Sequence, residues 1–109
     1  MANAFKVKTK TDLGTADSAV YTCPGGTQTT IIGLNLANTT SSAIEANVTL
    51  VNNDGDNIYI VKSAPIPIGS ALVPVGGDQK LVMEASDIIK VSSSADSSID
   101  ASLSILEIT

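Results

Sequence analysis

Three stretches of the sequence change polarity at every residue. Residues 43–52 set Ile44, Ala46, Val48 and Leu50 against Glu45, Asn47 and Thr49. Residues 98–106 set Ile99, Ala101, Leu103 and Ile105 against Asp100, Ser102 and Ser104. Residues 4–11 set Phe5, Val7 and Thr9 against Lys6, Lys8 and Lys10. Successive side chains on a strand point to opposite faces, so a period of two predicts half-buried β-strands. Residues 28–37 carry Ile32, Leu34 and Leu36 on one face. Gly33 inside that run marks a bulge or a close backbone approach.

Turn residues fall between the runs. Pro24-Gly25-Gly26 is a turn, and 38–42 is a polar loop. Asp54-Gly55 within 52–56 predicts a hairpin, and 76–78 and 94–97 read as further hairpins. Residues 64–69, Ala-Pro-Ile-Pro-Ile-Gly, read as an extended connection between sheets, because proline cannot donate to a ladder. Strands are predicted at 4–11, 18–23, 28–37, 43–52, 57–63, 70–75, 79–84, 87–93 and 98–108. The fold class is therefore all-β: an antiparallel β-sandwich of about eight to nine short strands, Ig-like or jelly-roll-like. The expected core is Ile32, Leu34, Leu36, Val48, Leu50, Leu81, Leu103 and Ile105.

The chain has 109 residues, which is one domain's worth, 1–109, with 1–11 either an edge strand or a docking arm. Aromatic residues make up 3%, so the core is aliphatic and built from 12 Ile, 9 Val and 8 Leu. The net charge is -5, and all 6 basic residues are lysines, which argues against a nucleic-acid binder. No signal peptide is recognised at the start, and no apolar run is long enough for a membrane span. The single cysteine, Cys23, cannot form an intrachain disulfide. These features point to a chain that folds in a cytoplasm.

The absence of histidine removes the commonest general base and metal ligand. Asp54-Gly55-Asp56-Asn57 lacks the bidentate Glu of a calcium loop, because the twelfth position is Pro65. Gly25-Gly26 and Gly76-Gly77 lack the Lys and Ser/Thr of a phosphate loop. Cys23 has no cationic neighbour in sequence. Ser63 adjoins Lys62, but adjacent strand residues point to opposite faces. No catalytic residue, metal site or cofactor is assigned.

Two features point to partner binding. Lys6, Lys8 and Lys10 share one face of the first strand. They are either an edge safeguard against aggregation or a basic stripe for an acidic partner. Ile66 and Ile68 alternate with prolines, either as exposed anchors for a neighbouring subunit or as side chains closing the end of the core.

A resemblance adds to this reading. Its upstream part is Thr30-Ile31-Ile32-Gly33-Leu34-Asn35-Leu36-Ala37-Asn38. Further along stand Lys62-Ser63-Ala64-Pro65-Ile66-Pro67-Ile68-Gly69 and Gly77-Asp78-Gln79-Lys80-Leu81-Val82-Met83-Glu84. The last part is Ser104-Ile105-Leu106-Glu107-Ile108. Over 28–109 the chain resembles small virion structural proteins of tailed bacteriophages. The resemblance implies a non-enzymatic capsid decoration (cement) protein, present in many copies or as a homo-oligomer. Its partners would be the major capsid protein or other virion proteins, with no nucleic acid and no membrane. It would be made in the host cytoplasm and located in the virion. A tail-fibre, adaptor or receptor-binding module and a tail-tube or neck component are the alternatives. With only Phe5, Tyr21 and Tyr59, the chain is poor in the aromatic platforms that carbohydrate sites use.

Overall fold

The computed structural model describes residues 3–77 and 79–109. Met1, Ala2 and Asp78, the third residue of the turn read at 76–78, lie outside the described residues. Among the described residues nine strands form: β1 (Asn3–Leu13), β2 (Ser18–Thr22), β3 (Gln28–Asn38), β4 (Ile44–Val51), β5 (Asn57–Ile66), β6 (Ala71–Val75), β7 (Leu81–Met83), β8 (Ile88–Ser93) and β9 (Ile99–Ile108). One sheet has the order β1-β9-β3-β6, with β7 also paired to β3, and the other has the order β2-β8-β4-β5. Every pairing is antiparallel. We call these the first and second sheets.

The connections settle which sandwich this is. Among the described residues only β4–β5 is a hairpin between successive strands, and it turns at 52–56. The Asn52 side chain organises that turn, its Oδ1 accepting from the Asp54 and Asp56 amides at 3.0 Å each. The expected hairpins at 76–78 and 94–97 are not hairpins. β6 and β7 both run antiparallel to β3, one after the other, so they are two pieces of one interrupted strand. The break begins at a close approach: a Cβ on Gly76 would meet Val73 Cγ1 at 2.8 Å. Residues 94–97 instead carry the chain from β8 in the second sheet to β9 in the first. Every connection apart from β4–β5 and β6–β7 crosses between sheets. With β6 and β7 counted as one strand, this is the strand order of a jelly roll.

The core lies between the sheets. Ile31, Leu34, Leu36, Leu103 and Ile105 come from the first, and Val48, Ile89 and Val91 from the second. Leu50 and Leu81 are partly buried against it. Ile32 departs from the expected core. The register slips between Ile31 and Gly33, so the inward side changes from odd to even residues there. Ile31 and Leu34 are buried, and Ile32 is left half-buried in the bulge. An extra residue in one strand shifts the side-chain parity, which uniform alternation does not foresee.

Candidate interaction surface

β1 is the edge of the first sheet, and its register decides where the lysines go. Lys6 pairs with Ile105, Lys8 with Leu103 and Lys10 with Ala101. Directly opposed residues share a face, and those three partners are core residues. The lysines therefore stand on the inner side of the first sheet, where its edge overhangs β2. Lys10 Nζ donates to the Ala19 carbonyl of β2 at 3.3 Å. Lys8 is half-buried and has no ion-pair partner among the described residues. Phe5 and Val7 face outward and are 77% and 63% exposed. The strand is thus turned the opposite way from an ordinary half-buried strand, with its apolar side in solvent.

Lys6 ends on a buried carboxylate. Its Nζ lies 2.7 Å from Glu107 Oε1. Glu107 continues the inward line of Ile99, Ala101, Leu103 and Ile105, and it is buried. The Tyr21 hydroxyl donates to Glu107 Oε2 at 2.5 Å and lies 2.8 Å from Thr29 Oγ1. The Lys6 hydrogen bond, then that of Tyr21, holds the Glu107 carboxyl below its ordinary range against the opposing effect of burial. Burial first, then the Glu107 carboxylate, pushes the Tyr21 phenol up. Cys23 closes the cluster, with Sγ 3.2 Å from Thr29 Oγ1 and 3.4 Å from the Thr27 carbonyl. This network ties the β1 edge through β9 to β2 and β3. No motif in the sequence signals this cluster, but extending the alternation of 98–106 by one step points Glu107 inward.

The outer face of the first sheet forms an apolar row across strands. Val82 pairs with Thr30, Thr30 with Leu106, and Leu106 with Phe5. Val7 stands in the next row, opposite Ser104. On the strands between the rows of Asn3 and Thr9, no charged side chain faces outward. The second sheet differs: its outer face carries Glu45 and Lys90 in register with Pro65 and Thr49.

Ile66 and Ile68 separate. Ile66 is 0% exposed, so the expectation that it is a surface anchor fails. β5 runs through it, and it pairs with the buried Ile44. Pro65 is accommodated because β5 is an edge strand. The Asn38 side-chain amide, donating to the Ile66 carbonyl at 3.0 Å, pins the exit from the strand. Ile68 is 61% exposed in the turn that follows. A shallow concavity of about 410 Å³ at one end of the sandwich has Glu84 as its one titratable side chain.

No protein-family model and no curated protein matches the chain. A solved structure of Bacillus endospore appendages, described as forming a novel family of disulfide-linked pili, shares the fold. Its TM-score is 0.60 over 99% of this chain and 87% of that one, at 9% sequence identity. At that identity the likeness is one of fold.

Proposed function

We propose that this chain is a non-enzymatic structural subunit of a multi-copy protein particle, and specifically a capsid decoration protein of a tailed phage. The observation that carries the general part is the surface of the first sheet. A long edge strand adjoins an outer patch of Phe5, Val7, Leu106 and Val82, and no charged side chain faces outward on the strands between the rows of Asn3 and Thr9, in an otherwise acidic molecule. Exposed apolar faces of this kind mark places where proteins meet. The fold likeness to a pilus protein supports a structural role. The phage part rests on the resemblance carried by 28–109, and jelly rolls also build viral shells. Fold alone does not assign the particle.

A second reading, a filament subunit, is favoured by the same fold likeness. Cys23 limits how such copies would join. It is the one cysteine of these 109 residues, and its thiol is buried. Copies of this chain would join without a disulfide.

Immunogold electron microscopy on particles released by the producing cells tests the proposal. Label over an icosahedral shell is the expected result. Label confined to a tail would replace it with the fibre, adaptor or neck reading, and label along a filament with the pilus-like one. Absence of label from every particle would overturn the structural role itself.

A further inference from the structure

The sandwich has four edges, and three are blunted along their length. β2 has five residues and carries an extra residue at Val20. β5 carries two register slips, with Ser63 at φ 52° and Pro65 near its end. β6 is five residues long, slips between Leu72 and Val75, and includes Pro74, and β7 beyond it has three residues. Short strands, bulges and prolines are the usual means of stopping another chain from pairing with an edge. β1 is different. Residues 3–10 pair with β9 in unbroken register, and the slip comes only between Lys10 and Leu13. That stretch contains no proline and no glycine.

We infer that the free edge of β1 accepts an extended strand from a partner protein, with acidic residues at alternate positions and small or apolar residues between them. An added strand would place alternate side chains on the inner side, beside Lys6, Lys8 and Lys10. Directly opposed side chains have Cβ atoms about 4.5–5.5 Å apart. Carboxylates there would reach Lys8, which has no ion-pair partner among the described residues and acts on Glu107 only at a distance, and Lys10, whose Nζ donates to a backbone carbonyl. The intervening side chains would extend the outer row at Phe5 and Val7. Main-chain hydrogen bonds would give such a contact affinity, and the alternating side chains would give it specificity.

A second copy of β1 does not fit. The residues facing inward are Ala4, Lys6, Lys8 and Lys10. Antiparallel pairing of two such strands puts inward residues opposite inward residues, and lysine opposite lysine is destabilising. The lysines thus act as a filter: they discourage self-pairing and select an acidic strand.

The inference rests on the reading of the chain as an assembly subunit and adds its docking edge. The test needs no particle, so the two can fail separately. The probe is a synthetic peptide alternating Glu with Val and Thr, and the control has Lys in place of Glu. Binding is read by fluorescence anisotropy, and its place by amide hydrogen exchange. The Glu peptide should protect amides of β1 and leave those of β5 unchanged. Its affinity should fall about tenfold or more between about 0.1 M and about 1 M salt, as screening shortens the reach of charge. The double variant Lys8→Glu/Lys10→Glu should lose the Glu peptide and gain the Lys control. Lys8→Gln/Lys10→Gln, read beside the protection of β4 and β8 amides, separates lost binding from lost fold. Failure to bind the Glu peptide, equal binding of both peptides, or protection at β5 would overturn the inference. Concentration-dependent protection of β1 without peptide would also overturn it, because the occupant would then be a second copy.

Discussion

β1 and β5 are edge strands of similar length in opposite sheets, and they meet the same hazard by different means. β5 breaks its own regularity: two extra residues, a left-handed Ser63 and Pro65 leave no long flat run for another chain to copy. β1 keeps its backbone regular over 3–10 and relies on three inward lysines. Backbone irregularity excludes every added strand, whatever its sequence. Charge excludes only some, and it attracts others. An edge left regular and guarded by one sign of charge is therefore selective, and an edge made irregular is closed.

The largest expected effect sharpens the β5 side. Ile66 ends that strand inside the core, and Ile68 lies two residues on in solvent. Ile66→Ala should destabilise by about 2–5 kcal/mol, the usual range for a buried Ile truncated to Ala. Ile68→Ala should stay within about 0.5 kcal/mol of the parent, as for a surface side chain without partners. Urea denaturation of both variants measures this. Equal losses would mean that the end of β5 is not the boundary between core and surface that the burial describes.

The next effect concerns the tether of β1. Glu107→Gln removes the charge that Lys6 and Tyr21 serve, and it should cost about 1–2 kcal/mol. The figure is modest because the Lys6 side chain is 46% exposed and solvent screens its half of the pair. The Glu107 carboxyl is held below its ordinary range in the folded chain, first by Lys6 and then by Tyr21. A depressed folded value means that the contribution is present above the unfolded carboxylate range, about pH 4.3, and is lost as pH falls through the folded value. The gap between parent and Glu107→Gln should therefore be full near neutrality and close in acid. Hydrogen exchange should show β1 amides opening before those of β4 as the gap closes. A gap that does not change with pH would make Glu107 a packing residue.

The same two edges mark where the sequence was legible. All nine strands lie near their expected places, because period-two patterning and turn residues are local signals and the chain obeys both. Pairing is not local. The links at 76–78 and 94–97 have hairpin-like composition, but which strand the next one pairs with depends on the whole topology: β7 returns to β3, and β9 crosses to the other sheet. Gly33 marks a bulge or a close backbone approach, yet the change of parity that turns Ile32 away from the core needs the partner register. The lysine stripe was visible as a stripe. That it faces inward follows only from the pairing of β1 with β9. Pro65 and Pro67 looked like a break before Ile66, whereas an edge strand tolerates a proline and runs on.

The smallest expected effect compares the two bulges directly. Each edge carries a non-glycine residue in the left-handed region: Asp12 of β1 at φ 55° and Ser63 of β5 at φ 52°. Left-handed backbone costs an ordinary L-residue about 1–2 kcal/mol, and Asp tolerates it better than Ser because its side chain can bond locally. A glycine removes that cost but loosens the unfolded chain, which returns about 0.4–1 kcal/mol. Both positions use their backbone amides, Asp12 toward Asp100 Oδ1 at 3.2 Å and Ser63 toward Asn47 Oδ1 at 2.8 Å, and glycine keeps them. Ser63→Gly should therefore stabilise by about 0.5 kcal/mol, a rise in Tm of about 2–4 °C for a domain of this size. Asp12→Gly should leave Tm unchanged within about 2 °C. The alanine variants discriminate further, since alanine has neither glycine's freedom nor the polar side chain: both should lower Tm, Asp12→Ala by more than Ser63→Ala. A rise for Asp12→Gly equal to that for Ser63→Gly would show that the two left-handed residues store the same strain.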